Sequence, residues 1–186
     1  LPRRMRGRIE LEPAFLADRA YALDPEGRHS WQPVAPTGLV SVSCDAMSNG
    51  GWVGQGYHDM NFGSRPLEAD FAGWDWARGK TADGRAILLY DSIRGNGEND
   101  RFGLTYSESG VVVQFKPPNR QRLKRGFWGV GGGIACDETE RPTLAAACED
   151  TPFYRRSLVE TVLFGDRVSM MHETLDCRRL AMPIVR

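Results

Sequence analysis

The feature that most constrains this 186-residue chain is a two-residue periodicity that recurs in short runs separated by glycine-rich turns. From Leu39 to Cys44 the sequence LVSVSC alternates apolar side chains with serine. A strand with one face in a core and the other in solvent gives this pattern, because successive side chains point to opposite faces. Ala86 to Ile93 (AILLYDSI) is a second strand candidate and leads into the turn-rich GNGEND of Gly95 to Asp100. RFGLTYSESGVVVQF then gives a strand, a turn at Ser107 to Gly110 and another strand, which Pro117-Pro118 stops. Near the end, FYRRSLVETVLF and RVSMMHETL flank Gly165-Asp166, a hairpin turn signal. No long stretch repeats at 3.6 residues, and there is no internal repeat. The expectation is an all-β chain, an antiparallel barrel or sandwich with little helix. One short helix is expected, in Glu12 to Arg19 or in Thr143 to Glu149.

The length suits one domain with a sizeable core. Lys plus Arg and Asp plus Glu number 24 each, so the basic surplus of a nucleic-acid binder is absent and no nucleic-acid partner is expected. The one local excess, Arg3, Arg4, Arg6 and Arg8, suits a solvated strand face better than contact with anionic lipid. Cys44, Cys136, Cys148 and Cys177 are widely spaced and form no CxxC pair, which points to reduced thiols and a cytoplasmic protein. No apolar run approaches the roughly 20 residues of a membrane span. The chain opens Leu1-Pro2-Arg3-Arg4 and runs at once into strand-like sequence, so it is expected to be cut from something longer.

Several motifs fail on their spacing. Gly129-Val130-Gly131-Gly132-Gly133 lacks the third glycine of a dinucleotide fingerprint, where Ile134 stands, and no Lys-Ser/Thr pair follows as in a P-loop. A close backbone approach or a bulge is the better reading. The carboxylates of Asp91 to Asp100 miss calcium-loop spacing. His29, His58 and His172 make no HxxxH pair, and no serine sits in a nucleophile elbow. Neither a metal nor a cofactor is therefore expected.

One stretch stands apart. Gly51 to Arg78 packs Trp52, Tyr57, Phe62, Phe71, Trp74 and Trp76 around Tyr57-His58-Asp59. Aromatic strand residues filling a barrel, with Asp59 capping a turn, would explain it without function. The functional reading is a carboxylic acid in an aromatic wall, where burial keeps the acid protonated and the rings stabilise a cation on a bound ligand. Those are the means of protonating an alkene. On a strand, residues two apart share a face, so Tyr57 and Asp59 face one way and His58 the other. His29 and Trp31 share a face by the same rule.

At this stretch the chain resembles the carotenoid 1,2-hydratase (hydroxyneurosporene synthase) family. The resemblance rests on YALDPEGRHSWQPVAPTGLVSV at Tyr21 to Val42, GQGYHDMNFGSRPLE at Gly54 to Glu68, FAGWDWAR at Phe71 to Arg78, EDTPFYRRS at Glu149 to Ser157 and MHETLD at Met171 to Asp176. Together these runs are specific, and they are spread through most of the chain. The resemblance implies that residues 1–186 are one lipocalin-like domain, the C-terminal barrel of a two-barrel enzyme, with the N-terminal domain expected to pack against it. It implies cofactor-independent hydration of the terminal C1–C2 double bond of acyclic carotenoids, neurosporene or lycopene, in photosynthetic bacteria. Peripheral membrane contact would give access to such a substrate. Asp59 matches the family's box acid and Tyr57 its neighbour; His29 and Trp31 match the His-x-Trp pair before the box. His29 is expected to orient Asp59 or the attacking water, and Trp31 to shelter the cation. Trp52, Phe62, Trp74 and Trp76 are the expected substrate-binding rings. The alternatives are a non-enzymatic lipocalin-like carrier of a hydrophobic ligand and a structural or interaction domain from a truncated gene.

Overall fold

The computed structural model describes residues 4–183. Among them the strands are β1 (Gly7–Pro13), β2 (Tyr21–Ala22), β3 (His29–Cys44), β4 (Gly51–Gly63), β5 (Phe71–Lys80), β6 (Ala86–Arg94), β7 (Asn99–Tyr106), β8 (Val112–Phe115), β9 (Arg120–Arg122), β10 (Gly133–Ala135), β11 (Thr143–Asp150), β12 (Tyr154–Leu163) and β13 (Asp166–Asp176). Among the described residues helix is confined to a 3-10 turn at Leu67–Ala69 and one α-helical turn, α1, at Cys177–Leu180.

Every pairing is antiparallel. A seven-stranded sheet runs β11-β12-β13-β5-β6-β7-β8, β3 joins β1, β2 and β4, and β9 pairs β10. The large sheet is covered on both faces. On its front, Trp76, Leu88, Tyr90, Leu104 and Leu175 pack with Tyr21 and Trp31 from the smaller sheet. On its back, Ala77, Ile87, Leu89, Val159 and Met170 pack with Ile134 and Ala135 of β10. This double cover explains why β6 is apolar without alternation from Ala86 to Tyr90: both sets of its side chains are buried. The register of β3 with β4 shifts between Gln32 and Ala35 and again between Ala35 and Gly38. Pro33 and Pro36 lie in those gaps, and proline has no N–H to give the ladder. Beyond the shifts, β3 and β4 leave the core with β1 as a ribbon, on which Ile9, Val42 and Trp52 stand in register.

The alternation left a barrel and a sandwich open and the observed fold is antiparallel with little helix, in the sandwich form; the helix assignment needs correction. Thr143 to Glu149 forms most of the exposed edge strand β11, because backbone pairing with β12 outweighs the helix preference of its alanines. Glu12 closes β1 with Pro13, and the chain to Arg19 carries no helix. The last hairpin turns on Phe164-Gly165, one residue earlier than expected. Both have left-handed φ (56° and 87°), as a two-residue turn of this kind requires, and the Asp137 carboxylate accepts both N–H groups at 3.1 and 2.8 Å. Arg4, Arg6 and Arg8 are exposed, as expected; Arg3 lies outside the described residues. All four cysteines are unpaired. No helix among the described residues is long and apolar enough to cross a membrane.

The back layer is fastened by charge. Asp75 of β5 accepts hydrogen bonds from the Arg120 guanidinium, the Thr174 hydroxyl (2.6 Å) and Gly133 N–H (3.2 Å). A Cβ on Gly132 would collide with Thr174 Oγ1 and Asp75 Oδ1, so the glycine run serves the close approach its sequence suggested. Burial alone would raise the Asp75 carboxyl, but His172, Arg120 and Thr174 hold it below the usual range. Asp91 stands beside it in register, and burial followed by repulsion from Asp75 pushes it up to about 6. Between its unfolded pKa, about 4, and this folded value, Asp91 binds its proton more tightly in the folded state. It therefore lowers stability above about pH 6, and that cost fades as pH falls to about 4. Asp75 acts oppositely, losing its contribution as pH drops below the unfolded carboxylate pKa. Asp91→Asn is expected to raise stability at pH 7 and to flatten the pH dependence between about 4 and 6. Thermal melts at pH 7 and 5 test this, and a variant less stable than wild type at pH 7 would refute it.

Candidate active site

The front face of the large sheet and β4 enclose an open cavity of about 380 Å³, lined by Tyr57, Asp59, Asn61, Trp74, Trp76, Tyr90, Tyr154, Arg156 and Glu173. That is within the range of small-molecule sites. Two regular patterns build it. Along β4, Tyr57, Asp59 and Asn61 are two residues apart and share a face, while His58 points to solvent. Across the large sheet, Arg156, Glu173, Trp76 and Tyr90 are successive register partners, one from each of β12, β13, β5 and β6. Neighbouring strands are about 4.8 Å apart, so these side chains make a continuous row opposite β4.

Asp59 is held by two donors on one oxygen. Trp31 Nε1–H donates to its Oδ2 at 2.6 Å and Tyr57 O–H donates to the same atom at 2.9 Å. Oδ1 has no hydrogen-bond partner among the described residues, so the carboxyl is oriented with one oxygen uncommitted. Burial, then the charge and hydrogen bond of Asp59, raise the Tyr57 hydroxyl far above its ordinary value, so it remains a donor. Its ring packs on Trp76 at 5.1 Å and carries the Arg78 guanidinium at 5.4 Å. Tyr90, raised by burial, donates to Asn61 Oδ1 at 3.1 Å. At the far end of the row, Arg156 Nε donates to Glu173 Oε1 at 2.9 Å and to Tyr154 Oη at 3.1 Å.

The eight residues singled out in the sequence fall into three groups. Tyr57, Asp59, Trp74 and Trp76 line this cavity, and Trp31 stands behind it as the buried donor to Asp59. His29 and Phe62 line a smaller cavity of about 100 Å³ that also touches Asn61. Trp52 lies half exposed on the ribbon, away from both. The alternation placed His29 and Trp31 on one face correctly, yet His29 makes no hydrogen bond to Asp59. Its Nε2 pairs with Asp70 at 2.8 Å, and that bond holds the Asp70 carboxyl below the usual range, with Arg28 adding to the effect. The sequence reading missed Asn61, Tyr90, Tyr154, Arg156 and Glu173. Glu173 lies in MHETLD and has the front-face parity of Leu175, but parity cannot say which wall it meets. Among the described residues no group of three or more His, Cys, Asp or Glu side chains is placed to hold a metal ion.

An antiparallel sandwich with an oriented carboxyl group in an aromatic cavity is the architecture these residues define. Residues 1–186 match the family described as carotenoid hydratase CrtC, and the chain belongs to that family. It is 41% identical over 187 residues to the acyclic carotenoid 1,2-hydratase of Thiocapsa roseopersicina, covering all of this chain and 46% of that protein. It is 38% identical over 181 residues to the enzyme of the same name from Cereibacter sphaeroides, covering 97% of this chain and 64% of the relative. The chain thus spans about half to two thirds of the length of these curated relatives. Among solved structures, a candidate AttH protein of Nitrosomonas europaea superposes with a TM-score of 0.57 at 14% identity, over 90% of this chain and 59% of that one. This likeness concerns the fold alone, which is the expected all-β, lipocalin-like class.

Proposed function

We propose that the protein containing this chain adds water across the terminal C1–C2 double bond of an acyclic carotenoid, neurosporene or lycopene, giving the 1-hydroxy product without a cofactor. The observation that carries this reading is Asp59, fixed through Oδ2 by Trp31 and Tyr57, with Oδ1 uncommitted and five aromatic side chains around the cavity it lines. In the proposed reaction the proton leaves Asp59 Oδ1 for C2, and the π electrons of the double bond form the new C–H bond. The tertiary cation left at C1 lies against the faces of Trp74, Trp76 and Tyr90, which stabilise positive charge. Water then forms the C1–O bond. Tyr57, kept protonated by burial and by Asp59, holds the carboxyl before proton transfer and stabilises the carboxylate after it.

Turnover of lycopene to its 1-hydroxy product by the full-length protein is the direct test. Activity is expected to survive exhaustive treatment with EDTA and to need no added nucleotide. Loss of turnover on chelation, restored by a divalent ion, would overturn the cofactor-independent part of the proposal. Absence of any alcohol product under all conditions would overturn the whole.

A further inference from the structure

The same cavity holds a second carboxylate. Asp59 belongs to the β4 wall and Glu173 to the facing wall, where it follows Trp76 in the row across the sheet. Hydration leaves a proton to be disposed of, since water that has bonded to a cationic carbon is a strong acid. The acid that protonated C2 stands on the wrong wall to receive it if water approaches from the opposite face of the alkene. Resting on the hydratase reading, we infer that Glu173 is the base that orients the attacking water and takes its proton.

Three observations point to this role. Glu173 is largely buried, its side chain only 19% exposed, and charged residues are rarely buried without a partner. Its partner, Arg156, donates to one oxygen, which leaves acceptor capacity on the carboxylate for a water molecule. Finally, its register neighbours on the cavity face are Trp76 and, beyond it, Tyr90. A water held by Glu173 therefore lies beside the rings assigned to the cation.

The step balances without any further reagent. The Asp59 proton goes to C2, a lone pair on the water oxygen forms the bond to C1, and one water proton passes to Glu173. Asp59 ends as carboxylate and Glu173 as acid, and solvent returns the proton from one to the other before the next turnover.

The test compares wild type, Glu173→Gln, Glu173→Asp, Glu173→Gly and Asp59→Asn in the full-length protein. Glu173→Gln keeps an acceptor for Arg156 but is no base; it should lower kcat roughly 100-fold, the low end for a positioned acid or base, with KM little changed. Glu173→Asp should recover part of the loss. Added formate, a small external carboxylate, should raise the activity of Glu173→Gly in proportion to its concentration and do nothing for Asp59→Asn. A structural role for Glu173 would give no formate rescue, and absence of rescue overturns the inference even if Glu173→Gln folds poorly. A Glu173→Gln enzyme within about three-fold of wild type in kcat overturns it too, since positioned bases contribute far more. Wild-type protein that makes no alcohol refutes the hydratase reading itself, whereas either preceding result with active wild type refutes the role of Glu173 alone.

Discussion

Asp59→Asn in the full-length protein is expected to abolish hydration and leave the fold intact. The amide matches the carboxyl in shape, and its oxygen can accept from Trp31 Nε1–H and Tyr57 O–H as Asp59 Oδ2 does. The core should therefore be undisturbed, with thermal stability close to wild type. What the amide lacks is a proton acidic enough to move to carbon. Removing a positioned acid typically costs 10²–10⁴-fold, and the loss here should reach or exceed the upper figure, since water at neutral pH protonates an isolated alkene poorly. Turnover of lycopene, with circular dichroism as the control for folding, measures it. Retention of more than about a tenth of wild-type activity would remove Asp59 as the acid, given the size of the effect a positioned acid has. Asp91 could not then replace it from where it stands, because it has the back-face parity of Asp75 and bonds with the Arg120 cluster.

Trp31 should show the largest effect on stability. It is fully buried and packs on Tyr90 at 5.2 Å, Phe102 at 5.9 Å and Tyr21 at 6.0 Å. The sequence suggested only that its ring shelters a cation; the structure makes it a core residue and a donor to Asp59. Trp31→Ala is expected to cost about 3–5 kcal/mol, as large-to-small changes of buried aromatics do. At roughly 2–4 °C per kcal/mol for a domain of this size, the melting temperature should fall by about 6–20 °C. Trp31→Phe separates the two roles, since it keeps most of the ring and removes the N–H. A hydrogen bond to a charged group contributes about 1.5–3 kcal/mol, so that variant should lose roughly ten- to a hundred-fold in kcat with a smaller change in melting temperature. Wild-type kcat in Trp31→Phe would show that the indole donor does not set the acid.

Much of this arrangement was legible because strands write their faces into the sequence. The strand at LVSVSC and the Pro117-Pro118 stop appear where expected, though that strand runs in the exposed ribbon and not against the core; the terminal hairpin is one residue off, and Tyr57 with Asp59, like His29 with Trp31, shares a face. These are local facts, fixed by the two-residue period of an extended backbone. The errors have a common origin. Thr143 to Glu149 has the composition of a helix and is a strand because β12 offers it a ladder. Phe62 and Trp52 belong to the same aromatic stretch as Trp76, yet only Trp76 lines the larger cavity.

The sequence by itself determined the all-β class, most of the strands, the turns to within a residue, the side of each strand on which a residue points and the family to which the chain belongs. The tertiary structure alone decided which faces meet. Trp31 reaches Asp59 across 28 positions of chain, His29 finds Asp70 instead of Asp59, and Glu173 arrives opposite β4 because β13 pairs with β5, nearly a hundred residues away in sequence. Periodicity carries no information about pairing partners, because each ladder is made by backbone groups that every residue except proline supplies alike. Register is set only when distant apolar faces are buried together, and the cavity, with its two carboxylates on facing walls, is a product of that register.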